Sequence, residues 1–301
     1  MVRILYGAGN FSGSNIRLSR FLRHCPRRHE VRVAAHLRNH QYLDYIDWAL
    51  DAVRTTRPNP KGRVADSFGD YQGTSIPRVN LNRFEEMLAE LTEWDPQLVI
   101  SDAEPVTAHI AKAFCAQLWL CSPLHLLDGI DWEFGHLNRS AVIKKTRRQL
   151  ALLPKATKRL IYSPFADLSM RPMLKDGFEW VTPYADWDEN PWTGNRPEQN
   201  GFQFVRQALS KDDKSFLTTG ETSFVADAFY RRKVIAVSPH SWDAESTLNA
   251  LLCEYFRVGH NLGEIGKDIP YSNDQLKLFQ SKQLNWKYLS KQKWGRLHEK
   301  I

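Results

Sequence analysis

Residues 216–223 read Phe216-Leu217-Thr218-Thr219-Gly220-Glu221-Thr222-Ser223. Apolar residues lead into hydroxyl side chains and a glycine, and the largely apolar run Phe224–Tyr230 follows at once. That order predicts a buried strand that ends in a glycine turn and opens directly into a helix. The first turn of a helix has backbone N–H groups without helical partners, at the positive end of the peptide dipoles. A strand–glycine–helix junction therefore suits an anion such as a diphosphate. An ordinary N-cap satisfies the same pattern, so the neighbouring sequence has to decide between the two.

Asp227 lies one turn into the expected helix, where a carboxylate can accept both hydroxyls of a ribose whose phosphates sit at the turn. The next apolar strand, Lys233–Val237, ends in Ser238-Pro239-His240-Ser241-Trp242-Asp243-Ala244-Glu245, and a helix over Ala244–Phe256 carries Asn249. Side chains at the carboxyl ends of strands face the crevice where open α/β sheets take ligands. Asp243 and Glu245 are thus candidates for sugar hydroxyls, and His240 for a further substrate contact.

The same βα rhythm fills the first half. Strands are expected at Val2–Tyr6, Val31–Ala35, Leu98–Ile100, Leu118–Leu120, Leu160–Tyr162 and Phe178–Val181. Helices are expected after the small-residue loop Gly7–Asn15 (stripe Ile16, Leu18, Phe21, Leu22), over Gln41–Val53, Leu81–Leu91 and Val106–Phe114, and over the basic stretch Asn138–Leu153. Arg54–Pro77 reads as a long polar loop, and the aromatic, turn-rich segment Tyr184–Asn200 as a linker. A helix over Gly201–Leu209 and a strand at Ser215–Leu217 restart the rhythm, and Ser272–Ile301 is mainly helical. Alternating strands and helices predict an α/β chain with a mostly parallel, doubly wound sheet. The expected division is 1–183, 184–280 and a basic C-terminal helix, 281–301.

Composition sets limits. The chain has 301 residues, 42% hydrophobic and 25% charged, which is ordinary for a globular protein. No apolar run reaches the length of a membrane-spanning helix, and Met1–Gly7 is too short for a signal peptide. Cys25, Cys115, Cys121 and Cys253 show no C-x-x-C spacing, so reduced thiols and a cytoplasmic location are expected. The net charge of +7 favours a polyanionic partner, nucleic acid or an anionic membrane surface. Basic residues gather at Arg139, Lys144, Lys145, Arg147, Arg148, Lys155, Lys158 and Arg159, and again between Lys277 and Lys300. No G-x4-G-K-[ST] motif is present, which excludes a P-loop hydrolase. Gly7, Gly9 and Gly13 do not form a dinucleotide fingerprint, since His36 stands after the second strand where an acid is needed. No His, Cys and acid set has zinc spacing.

The run Phe216–Gly263 resembles the donor-binding half of the two-Rossmann (GT-B) nucleotide-sugar glycosyltransferases. The glycine turn, the acid on the next helix, the Pro-x3-Asp-x-Glu-x3-Asn run from Pro239 to Asn249, and Val258-Gly259 match in order. The first half is similar to the same family through the Arg3–Gly7 strand, a helix carrying Arg17 and Arg20, and the acidic loop Val99-Ile100-Ser101-Asp102-Ala103-Glu104-Pro105. The resemblance implies two facing Rossmann-like halves with mostly parallel sheets, the second shortened. It also implies a glycosyltransferase with a nucleotide-sugar co-substrate, most simply a UDP-sugar. It places the diphosphate at Gly220, Glu221, Thr222 and Ser223, the ribose at Asp227, and the sugar at Asp243 and Glu245. Many relatives carry a histidine base at the start of the first helix. Asn15 stands there, and asparagine cannot take a proton near neutral pH, so the base is expected at Asp102 or Glu104.

Two carboxylates close together raise the pKa of one of them, which suits a general base. A helix cap explains the same residues, since Pro105 follows at a natural first helical position. Gly13, Asn15, His125 and Asp128 are expected on the acceptor side. Asp128, Asp131 and Glu133, on an acidic and aromatic loop after a strand, are weaker candidates for the base. No motif requires a metal or other cofactor. The basic stretches and ten tryptophans favour a nucleic-acid acceptor such as a hydroxymethylated DNA base, as in small phage-type DNA-base glycosyltransferases. A base inside a duplex would have to be flipped out. A lipid or small-metabolite acceptor, and a non-catalytic nucleic-acid-binding protein on a degenerate transferase scaffold, are the alternatives.

Overall fold

The computed structural model describes residues 1–9, 12–35, 48–49, 81–130, 140–167, 174–184, 215–230, 234–240, 243–256, 258–263 and 296–301. The first half contains β1 (Arg3–Ala8), α1 (Ser12–His24), β2 (Glu30–Ala35), β3 (Trp48–Ala49), α2 (Leu81–Trp94), β4 (Leu98–Asp102), α3 (Pro105–Ala113) and β5 (Gln117–Ser122). It continues through α4 (Leu126–Gly129), α5 (Ala141–Leu150), β6 (Lys158–Tyr162) and β7 (Phe178–Val181). The second half has β8 (Ser215–Thr218), α6 (Thr222–Tyr230), β9 (Val234–Val237), α7 (Ala244–Tyr255) and β10 (Gly259–Asn261).

The first sheet runs β3-β2-β1-β4-β5-β6-β7 with every pair parallel. Ile4 pairs with Val31 on one side and with Leu98 on the other. Strands covered on both faces need continuous apolar runs rather than alternation, and Ile4, Leu5 and Tyr6 are all buried. Strand order reverses between β1 and β4. The residues that follow these strands, Gly9 and Ala103–Glu104, therefore stand at the switch point, where open α/β sheets take ligands. The second sheet has the order β10-β9-β8, also parallel.

One apolar core joins the halves. Leu127, Ile143 and Phe165 of the first pack with Val225, Phe229 and Leu248 of the second. Phe165 meets Phe229 edge to face, with ring centroids 5.3 Å apart, a favoured geometry for aromatic pairs. The C-terminus returns to the first half. Leu297 is buried there, Lys300 pairs with Glu179 at 2.9 Å, and the Tyr184 hydroxyl lies 3.0 Å from His298 Nδ1.

Phe178–Val181 pairs only with β6 among the described strands, so it belongs to the first sheet. Within the expected helix Gln41–Val53, Trp48–Ala49 instead form β3, paired with Ala34 and Ala35 of β2. Sheet-edge hydrogen bonding there overrides a helical period. Of the expected C-terminal helix, the described part is a single 3-10 turn, Leu297–Lys300. The loop Arg54–Pro77, most of the Tyr184–Asn200 linker, the helix Gly201–Leu209, and Asp131 and Glu133 lie outside the described residues.

Candidate active site

Helix α1 starts where β1 ends, and its first turns look across the crevice toward the second half. Arg17 and Arg20 are three residues apart, so they share one face of the helix. Both are buried. Arg17 donates from Nε to Asp102 Oδ2 at 2.7 Å and from Nη2 to Asp102 Oδ1 at 2.8 Å. Its Nη1 reaches Glu245 Oε1 of the second half at 2.8 Å, and Nη2 also donates to Ser14 Oγ at 3.1 Å. Arg20 donates to both oxygens of Asp227, at 3.0 and 2.6 Å, and to the Tyr184 carbonyl at 2.7 Å. Two buried ion pairs thus span the halves. Such pairs need all their partners, because removing one leaves a charge buried alone.

Burial pushes the Asp102 carboxyl above its ordinary value; Arg17 opposes the rise and Glu245 adds to it. The Tyr6 hydroxyl donates to Asp102 Oδ2 at 3.3 Å. Glu104 does different work. Its side chain accepts from the Val106 and Thr107 backbone N–H groups at 3.1 and 2.6 Å, and from the Thr107 hydroxyl at 2.8 Å. It is the N-cap of α3, ahead of Pro105. Between the two acids, Ala103 has φ +53°, a left-handed conformation that costs a residue with a Cβ. The turn is pinned from β1 by Gly9, whose N–H donates to the Asp102 carbonyl at 2.9 Å. A side chain there would lie 2.9 Å from the carbonyl oxygens of Asp102 and Ala103.

The opposite wall is the β8–α6 turn. Gly220 has φ +104°, and a Cβ on it would lie 2.9 Å from the Ser246 carbonyl. Glycine satisfies both demands at once. Asn249 ties the turn to α7, donating to the Gly220 carbonyl at 2.6 Å and to Thr222 Oγ1 at 2.9 Å. The Glu221 carbonyl accepts from the Phe224 and Val225 N–H groups, so it begins the helix, and its carboxylate takes the Thr219 hydroxyl. The Thr222 N–H, at the very start of α6, donates to Glu245 Oε1 at 2.8 Å. Ser223 is buried and its hydroxyl has no partner.

Asp243 caps α7, accepting from the Glu245 N–H at 2.9 Å and from the Ser246 hydroxyl. Burial, reinforced by Glu245, pushes its carboxyl up to about 7. Partial burial lowers the His240 imidazole, against an opposing pull from Glu221.

The structure thus brings Gly13, Asp102, Thr222 and Glu245 together around Arg17, and Ser223 and Asp227 around Arg20. A Cβ at Gly13 would lie 2.8 Å from Glu245 Oε1. Asn15 is buried beside them in sequence, with neither Oδ1 nor Nδ2 hydrogen-bonded. His125 and Asp128 form a separate group, 3.3 Å apart, with Asp128 also 3.3 Å from Arg159. Sequence reasoning placed Arg17 and Arg20 on the first helix without a site role, and it missed Tyr6 and Ser14. The available signal was two arginines three apart beside the buried Leu18 and Phe21, a spacing that puts charge on an inward face. Among the described residues no group of three or more His, Cys, Asp or Glu could hold a metal ion, and no helix is long and apolar enough to cross a membrane.

No protein-family model matches the chain, and no curated protein matches it. Solved structures do. The glycotransferase of kitacinnamycin is 12% identical with a TM-score of 0.55, over 96% of this chain and 93% of that one. A glycosyltransferase of Streptomyces sp. SF2575 is 18% identical with a TM-score of 0.51, over 86% and 87%. The calicheamicin glycosyltransferase is 13% identical with a TM-score of 0.51, over 87% and 86%. At these identities the likeness is one of architecture, and the architecture is the GT-B fold of two Rossmann-like halves facing across a crevice.

Proposed function

We propose that the protein transfers a sugar from a nucleoside-diphosphate sugar to a hydroxyl acceptor. The observation that carries this is the β8–α6 turn. A positive-φ glycine opens the N-terminus of α6, whose Thr222 N–H shares Glu245 Oε1 with a buried arginine from the facing half. That is the arrangement a departing diphosphate needs, since its charge grows as the bond to the anomeric carbon breaks. The GT-B fold agrees with it, although a fold alone does not fix an activity.

In this reading the backbone of Gly220, Glu221, Thr222 and Ser223 receives the diphosphate and Asp227 the ribose. Glu245 and His240 face the sugar, and Asp243, whose oxygens cap α7, holds the start of the helix that carries Glu245. The acceptor oxygen forms the new bond to the anomeric carbon, the bond to the diphosphate oxygen breaks with its electron pair, and the acceptor proton passes to a carboxylate. Of the two expected bases we favour Asp102: both carboxylates are hydrogen-bonded, but Glu104 caps α3 within its own half, whereas Asp102 belongs to the Arg17 cluster that reaches the second half. Gly13 and Asn15 are read as acceptor-side residues, as are His125 and Asp128, which pair with each other.

A hydroxymethylated DNA base is the acceptor that the net charge of +7 and the exposed Lys144 and Arg148 on α5 favour, with UDP-sugar as donor. A small hydroxylated metabolite is the second reading, favoured by the calicheamicin and kitacinnamycin enzymes of the same fold. UDP-, GDP- and TDP-sugars offered with hydroxymethylated DNA, plain DNA and a small-acceptor panel distinguish the two. The expected result is sugar incorporation into hydroxymethylated DNA alone. Asp102→Asn should reduce it at least a hundredfold, the usual range for a lost general base. Transfer to a small acceptor only would replace the DNA reading, and full activity in Asp102→Asn would remove the base from that residue.

A further inference from the structure

Glu245 Oε1 is where two donors from opposite halves of the molecule converge. The Thr222 N–H, from the first turn of the nine-residue helix α6, reaches it at 2.8 Å, and the Arg17 guanidinium, from α1, reaches it at 2.8 Å. A helix N-terminus and a buried guanidinium aimed at one point form an anion-binding site. In this structure the anion is a side chain of the protein itself. Ser223, in the same turn of α6, is fully buried with a hydroxyl that has no partner. A buried hydroxyl without a hydrogen bond costs free energy unless a ligand supplies one.

The charges around Arg17 are unbalanced. One guanidinium faces the carboxyl groups of both Asp102 and Glu245, and all three side chains are almost completely buried. Asp102 holds Nε and Nη2 in a two-point grip, which leaves Nη1 as the group that can change partner without moving the side chain.

We infer that Glu245 is an internal placeholder for a phosphate of the donor, and that Arg17 passes its Nη1 bond from Glu245 to that phosphate when donor binds. Arg17 is then a donor-binding residue contributed by the acceptor-side half, and it couples the facing halves to donor occupancy. Glu245 loses its place at the α6 N-terminus and is freed to turn toward the sugar. This rests on the donor-site reading of the β8–α6 turn and adds to it the exchange between an internal and an external anion. A phosphate would be a third anion around one cation, so its entry displaces one of the two carboxyl groups.

The test is isothermal titration of UDP, TDP and inorganic pyrophosphate into the full chain and into Glu245→Gln, Arg17→Lys and Arg17→Gln. Glutamine keeps an oxygen that accepts from the Thr222 N–H but removes the competing charge. Glu245→Gln is expected to bind the best nucleoside diphosphate, and pyrophosphate, at least tenfold more tightly than the unmodified chain. Arg17→Lys and Arg17→Gln are expected to bind both at least tenfold more weakly, with circular dichroism confirming that the variants are folded. If the unmodified chain binds a nucleoside diphosphate and Glu245→Gln binds it equally or more weakly, the placeholder is overturned while the donor site stands. If neither protein binds any of the three probes, the donor site itself falls, and the placeholder with it. Should the Arg17 variants unfold, the tightening in Glu245→Gln alone decides the matter.

Discussion

A buried polar atom without a partner costs about 1–3 kcal/mol, and Asn15 has two of them. Replacing it by alanine removes that penalty and improves helix propensity. Asn15→Ala is therefore expected to leave the thermal midpoint unchanged or raise it, while lowering kcat for transfer at least tenfold. A loss of several degrees would show that Asn15 serves the fold and not the crevice. Asp243 gives a pH signature. Its carboxyl is held near about 7, against roughly 3.9 in an unfolded chain. Between these values the folded protein keeps a proton that the unfolded chain has released, so this group's contribution is full below pH 4 and is lost as pH rises through 7. Asp243→Asn, which can still cap α7, should flatten the fall in urea-unfolding free energy between pH 5 and pH 7.5. An unchanged slope would place the proton elsewhere. These residues also mark where sequence reading stopped. The acids could be chosen from their places after strands, but Arg17 is 85 positions from Asp102 and 228 from Glu245. Pairings at that range are set by how the halves pack, and no local pattern encodes them.

At the scale of elements, the β8–α6 turn depends on one glycine. Gly220→Ala combines a positive φ with a Cβ 2.8 Å from Val237 Cγ1 and 2.9 Å from the Ser246 carbonyl. A destabilisation of about 2 kcal/mol or more is expected in urea unfolding, together with weaker nucleoside-diphosphate binding. A neutral substitution would mean the turn relaxes freely and does not define a site. Most elements were legible in the sequence because the buried strands are continuous apolar runs and the helices carry apolar stripes. Phe178–Val181 is a strand with the expected bounds, and the strands at 98 and 118 fall where their apolar runs do. Helix α6 begins at Thr222, two residues before its apolar run, because the Glu221 carbonyl already accepts from Phe224 and Val225. β3 was not legible, since two residues have no period and owe their strand conformation to the neighbouring edge of β2. Glu104 was legible both as an acid and as a cap, and only its three hydrogen bonds decide that its oxygens are spent on α3.

At the scale of the whole molecule, two parallel sheets share an apolar core and are crossed by two buried ion pairs from a single helix. A shared core predicts that the halves unfold together, while the crevice between the sheet ends stays the place where ligand acts. The positive charge of the chain belongs to this scale too. If DNA is the acceptor, log affinity should fall linearly with log salt concentration. Lys144→Ala with Arg148→Ala should then make that slope shallower by about 1 for each phosphate no longer neutralised. The most direct measurement is donor turnover: release of nucleoside diphosphate from a panel of UDP-, GDP- and TDP-sugars, with and without hydroxymethylated DNA, by the unmodified chain and by Asp227→Asn. The expected result is release from one donor, accelerated by acceptor, and reduced at least tenfold in Asp227→Asn. No release from any donor, with DNA still bound and a steep salt dependence, would contradict transferase activity and leave a nucleic-acid-binding protein on a glycosyltransferase scaffold.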